Sequence, residues 1–137
     1  MFGWTQERTF VLTDIALYNI HKKEIKRKIL LEDIGGITRT VPPSKALEFT
    51  VHVPIAYDYR FNSHRRDEII DLIKRLFICL KGSNCPQFMV TAKNLNDYTT
   101  TESDMKKNKT RFPAPEFRDF QSDLIGGASN DAQPLKI

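Results

Sequence analysis

The stretch Tyr57–Leu80, YDYRFNSHRRDEIIDLIKRLFICL, carries two periodicities in succession. Tyr57, Tyr59 and Phe61 alternate with Asp58, Arg60 and Asn62, the period of a strand. Ser63 is the candidate N-cap of a following helix, with Asp67 and Glu68 in its first turn, where the helix dipole favours negative charge. Ile69, Ile70, Ile73, Leu76, Phe77 and Leu80 then fall at helical spacing on one face, and Lys74, Arg75 and Lys81 sit late, where the dipole favours cations. Such a helix must cover apolar surface, and short strands precede it, so it is expected to pack on a β-sheet.

Working upstream, Leu47–Val53 alternates: Leu47, Phe49, Val51 and Val53 face one way, Glu48, Thr50 and His52 the other. This predicts a strand of a half-buried antiparallel sheet. Pro42-Pro43-Ser44-Lys45 reads as a loop. Ile37–Thr40 reads as a strand entered by the turn at Asp33–Gly36. Thr9–Thr13 and Ile15–Ile20 read as a hairpin turning at Asp14. After the turn at His21-Lys22-Lys23, Glu24–Leu31 forms a third strand, with Ile25, Arg27, Ile29 and Leu31 on one face and Lys26 and Lys28 on the other.

Downstream of Lys81-Gly82-Ser83 the composition turns polar. Phe88–Ala92 reads as one more strand. Beyond Asn94 the chain has little apolar surface to offset its ordering entropy and is expected to be mobile or wrapped on the domain. The expected organisation is a domain over residues 1–82 and a partly ordered or disordered extension over 83–137. The expected fold is α+β and mainly β: a curved antiparallel sheet or partial barrel of six to seven short strands capped by one C-terminal helix.

The chain has 137 residues, 40% hydrophobic, with a net charge of +4. That charge permits an anionic partner, though not a nucleic acid by expectation. No apolar run approaches the ~18 residues of a membrane span. Gln6, Glu7, Arg8 and Asp14 interrupt the first apolar segment, which therefore does not read as a secretory signal. Cys79 and Cys85 are too few for a disulfide framework; both are expected to be free thiols in a reducing cytosol, with Cys79 buried on the helix. His21, His52 and His64 are too scattered to suggest a metal site, and no cofactor is expected. Glu32/Asp33 and Asp67/Glu68 are adjacent pairs whose side chains point apart, and no nucleophile–base–orienter set is visible. The expectation is a protein that is not an enzyme.

The order of these elements resembles the pleckstrin-homology fold, and more closely the PH-like core of the class I myosin tail homology 1 (TH1) domain. The residues that carry it are Arg8–Asp14 (RTFVLTD), Ala16-Leu-Tyr18, Lys26–Ile37 (KRKILLEDIGGI), Phe49–Val53 (FTVHV) and Tyr57–Arg60, followed by a helix from about Arg65. The likeness spans roughly residues 8–80. The family's first strand is missing or reduced to Met1–Trp4, and with it most of the basic loop that binds phosphoinositides; only Arg8 matches the end of that loop. No phosphate-cradling Gly-rich motif of a motor occurs.

The resemblance implies a non-catalytic module, cytoplasmic and peripheral to membrane or cytoskeleton, that engages anionic phospholipids or phosphoinositides. Arg8, Lys22, Lys23, Lys26 and Lys28 are the residues for this role. The alternative is a scaffold for actin or another cytoskeletal protein. The same lysines also suit an edge strand guarded against pairing with another chain. Arg60, His64, Arg65 and Arg66 form a second basic cluster at the helix entry, which is either an anion site or a solvated helix start. Tyr57 and Tyr59 read as packing under the helix. In the tail, Phe117-Arg-Asp-Phe120 resembles the F-x-x-F docking motifs bound by AGC-type kinases; the alternative is that Phe112, Phe117 and Phe120 anchor the tail to its own domain. Thr99–Asp104 is expected to be accessible to phosphorylation.

Overall fold

The computed structural model describes residues 8–111. Met1–Trp4 and the Phe112, Phe117 and Phe120 segment lie outside the described residues. Among the described residues, seven strands form two sheets. β1 (Thr9–Leu12), β2 (Ala16–His21) and β3 (Glu24–Leu30) build an antiparallel three-stranded sheet in that order. β4 (Gly36–Thr40), β5 (Glu48–His52), β6 (Tyr59–Asn62) and β7 (Gln87–Val90) build a second, ordered β6-β5-β4-β7. The α1 helix (Arg66–Lys81) joins β6 to β7, and a short helix, α2 (Glu102–Lys106), closes the described chain. The fold is therefore α+β and mainly β, as expected, but the two sheets do not close into a barrel.

Local chemistry sets the turns. Thr13 Oγ1 accepts from the backbone N–H groups of Ile15 and Ala16, at 3.2 and 3.0 Å, and so makes the β1–β2 turn. Gly35 passes so close to the next layer that a Cβ there would lie 2.7 Å from Pro54 Cγ. α1 ends on Gly82, left-handed at φ +76°, whose N–H bonds the Ile78 carbonyl at 2.8 Å.

The apolar core lies between the sheets and under α1. Leu17 and Ile29 come from the first sheet, Ile37, Phe49 and Val51 from the second, and Ile70, Ile73 and Phe77 from the helix. Aromatic contacts close one side: Phe61 stacks on Phe49 at 4.8 Å and meets Phe10 of β1 edge-on at 4.9 Å.

Four expectations need correcting. α1 starts at Arg66, later than a Ser63 cap implies; Ser63 instead holds the preceding turn, its Oγ accepting from Arg65 N–H at 3.0 Å. The helix is not the final element, because β7 follows it and pairs parallel with β4, giving a mixed sheet. The boundary at residue 82 therefore cuts through one sheet, and the fold continues to Arg111. Leu80, aligned with the apolar face, is exposed at the helix end.

The fourth correction is the largest. β5 is not half-buried: Phe49 and Val51 enter the core, yet Thr50 and His52 on the opposite face are 0% and 1% exposed. The segment after β7 covers that face. Thr50 Oγ1 meets Thr99 Oγ1 at 2.7 Å, Thr99 Oγ1 donates to the Leu95 carbonyl at 2.7 Å, and Leu95 N–H donates to Glu48 Oε1 at 2.9 Å. Thr99 and Thr100 are therefore buried rather than accessible, and Thr101 caps α2 in a reciprocal box with Asp104.

Candidate functional site

The β2–β3 hairpin is where the sequence concentrates positive charge. His21 pairs with Glu24, leaving Lys22 and Lys23 as a two-residue loop. Their φ angles are +51° and +68°, the left-handed pair that a two-residue hairpin turn of the type I′ class demands. Such turns favour Asn-Gly, because a side chain with a Cβ is disfavoured in this region by about 1–2 kcal/mol per residue. Two exposed lysines occupy it here. Neither forms an ion pair among the described residues.

Around this tip the remaining predicted residues take different roles. Lys26 binds Glu24 Oε1 at 2.8 Å, and that contact holds the Glu24 carboxyl below its ordinary range. Lys28 stands over the Tyr18 ring, 5.9 Å from its centroid. Arg8 leads into β1 at the same end of the sheet, since Thr9 pairs with Ile20; its charge acts on Tyr59, whose hydroxyl is nonetheless pushed up by burial. Ile25, 61% exposed, sits between the tip and Lys26. The arrangement is a cationic tip with one bare aliphatic side chain.

Arg27, on the other face of β3, points inward. Its guanidinium donates to the carbonyls of Tyr57 and Asp58 and lies 3.8 Å above the Tyr57 ring. It ties the first sheet to the β5–β6 loop, so Tyr57 packs under Arg27 rather than under the helix. Half-burial pushes Arg27 downward from its high ordinary value, and it remains charged.

The second basic cluster is not brought together. Arg66 is buried, and its Nη1 donates to Thr40 O at 2.8 Å and to Thr40 Oγ1 at 3.1 Å. Arg65 forms a fork with Glu68, 2.9 Å on both arms, which raises Arg65 and lowers Glu68. Arg60 bonds Asn96 Oδ1, and His64 is exposed. Three of the four side chains thus have separate structural partners.

A buried polar chain escaped the sequence reading. Asp58 Oδ2 meets His52 Nδ1 at 2.9 Å, and His52 Nε2 meets Thr38 Oγ1 at 2.6 Å. Asp58 also accepts from Val53 N–H at 3.0 Å and Thr100 N–H at 2.9 Å. Carboxylate, imidazole and hydroxyl in this order match a nucleophilic relay in chemistry. Thr38 is 0% exposed, beneath the strands and the covering segment, so its hydroxyl faces no solvent. What the chain of bonds does here is satisfy buried polar groups and hold Thr100 of the covering segment through Asp58. Its only sequence signal was that Thr38, Thr50 and His52 share one sheet face.

Cys79 is not buried on the helix as expected. Cys79 is exposed and Cys85 is buried, where desolvation pushes its thiol up to about 12. Among the described residues no cluster of side chains suited to a metal ion occurs, and no helix is long and apolar enough to cross a membrane. No protein-family model matches the chain, and neither a curated protein nor a solved structure matches it significantly.

Proposed function

We propose that the protein is a non-catalytic, PH-like binding module that docks on anionic membrane surfaces, phosphoinositide-bearing by the TH1 resemblance, through its β2–β3 hairpin. One observation carries this reading: Lys22 and Lys23 hold a strained left-handed turn at an exposed tip, beside bare Ile25. A backbone cost at a position that packs against nothing is the mark of a residue kept for what it contacts. Each lysine near an anionic bilayer contributes about 1 kcal/mol, so Lys22, Lys23, Lys26 and Lys28 alone give a millimolar, salt-sensitive affinity. Burying Ile25 among the headgroups adds about 2 kcal/mol and brings binding to tens of micromolar.

The test is vesicle co-sedimentation, with and without phosphoinositide, at two salt concentrations. The native chain is compared with Lys22→Glu/Lys23→Glu/Lys26→Glu. Binding that weakens with salt and vanishes in the triple variant, at unchanged circular dichroism, is the expected result. No sedimentation of the native chain at low salt overturns the reading and directs the search to protein partners, filaments of the actin type first.

A further inference from the structure

β3 has a second, unpaired side. In an antiparallel pair, residues alternate between those whose N–H and C=O point at the partner and those that point away. Leu31 N–H bonds the Ile15 carbonyl at 2.8 Å, and the register pairs Leu17 with Ile29 and Asn19 with Arg27. Ile29 and Arg27 therefore face β2, whereas Lys28 and Leu30 turn their N–H and C=O groups outward. No other strand pairs with β3 among the described residues. The register shift opposite Asn19 and Ile20 interrupts the ladder just before Arg27, so the regular free edge is the Lys28–Leu30 segment.

That edge borders a cleft of about 360 Å³ between β3 and the Val53–Tyr57 loop. Ile29, Val53 and Ala56 supply apolar lining, Arg27 a cation and Asp33 an anion; Lys28 borders it with its side chain on the outer face, and Ile55, which also lines it, is 74% exposed. Among the described residues no loop or side chain engages the amide of Lys28 or Leu30.

We infer that this edge is a docking site for an extended peptide that adds as a fourth strand to the first sheet. Pairing opposite Lys28 and Leu30 satisfies four outward backbone groups. It places a peptide side chain opposite Ile29 into the cleft, where an aliphatic group fits against Val53 and Ala56. The neighbouring side chain meets Lys28 on the outer face, where a carboxylate fits. The matching ligand is thus a segment that alternates aliphatic and acidic residues. This site is separate from the hairpin tip, and the inference stands whether or not the membrane reading does.

The probe is a fluorescein-labelled seven-residue peptide of alternating glutamate and valine, titrated at low salt and followed by anisotropy. Two controls accompany it: the same peptide N-methylated at alternate amides, and an alternating lysine–valine peptide. The native chain binds the first and neither control. Lys28→Pro removes one outward N–H while sparing the β2 pairing, and abolishes binding; Lys26→Glu/Lys28→Glu weakens it roughly tenfold. Amide hydrogen exchange supplies a readout that needs no variant. The Lys28 and Leu30 amides exchange quickly in the free chain and become protected with peptide, while Arg27 and Ile29 are protected throughout. Absence of binding, equal binding of the N-methylated peptide, or unchanged exchange at Lys28 and Leu30 under saturating peptide each overturns the inference.

Discussion

The two sheets share a core and differ in almost everything else. The four-stranded sheet is buried on both faces: Phe49 and Val51 lie under α1, and Thr38, Thr50 and His52 lie under the segment after β7. The three-stranded sheet contributes Leu17 and Ile29 to the core and keeps an outer face with Lys26 and Lys28, a lysine tip and an edge that no strand pairs among the described residues. Burial and satisfied hydrogen bonds concentrate in one sheet; in the function proposed above, the other supplies the contact surface, with the left-handed turn at Lys22 and Lys23 at its tip.

The comparison breaks if removing groups from the second sheet is harmless. Phe49→Ala takes a fully buried ring from the centre, stacked against Phe61, and is expected to destabilise the fold by about 3–5 kcal/mol in urea unfolding. Against a total of about 5–15 kcal/mol, that is a large share. Asp58→Ala probes the polar face. It leaves the Val53 and Thr100 N–H groups and His52 Nδ1 without their acceptor, for a loss of about 3 kcal/mol. Amide exchange at Thr100 should quicken in this variant, while exchange at Leu17 in the first sheet follows only the global loss.

A smaller, local effect is expected in acid. Asp104 is held well below its ordinary value, first by the Arg111 guanidinium and then by the Thr101 N–H. A carboxyl lowered in the folded state contributes stability that is complete above its unfolded value and fades as the pH falls toward the folded one. The α2 turn should therefore loosen only below about pH 4. Chemical shifts of Thr101 and Asp104 against pH check this, and Arg111→Ala should move the Asp104 titration upward and shrink the loss, with the onset unchanged. Loosening that begins near neutral pH would contradict it.

How much of this was legible in the sequence depends on whether a residue's partner is local. All the strands before α1 and the apolar face of the helix follow from alternation and from 3.6-residue spacing, both local properties. Cys79 was misplaced although the spacing contains the answer: two residues after Phe77 is about 200° round the helix, away from the core. The burial of Thr50 and His52 was not legible, because a polar face reads as solvent-facing unless the covering segment is known. That cover comes from Leu95–Thr100, more than forty residues later. Its threonines and asparagines read as loop composition, yet they pair with polar groups of the sheet rather than with water. At the candidate site, the run of lysines was visible; the left-handed turn under Lys22 and Lys23 and the outward amides of Lys28 and Leu30 were not, since both depend on register.

The claim that the first sheet keeps its tip for contact rather than for stability has one direct measurement. Lys22→Asn/Lys23→Gly gives the turn the residues its backbone prefers, and removes both charges. Urea unfolding and vesicle co-sedimentation are then run on the same preparation. The account predicts a gain of about 1 kcal/mol in stability together with loss of binding to anionic vesicles. A variant that sediments with vesicles as well as the native chain does would contradict it.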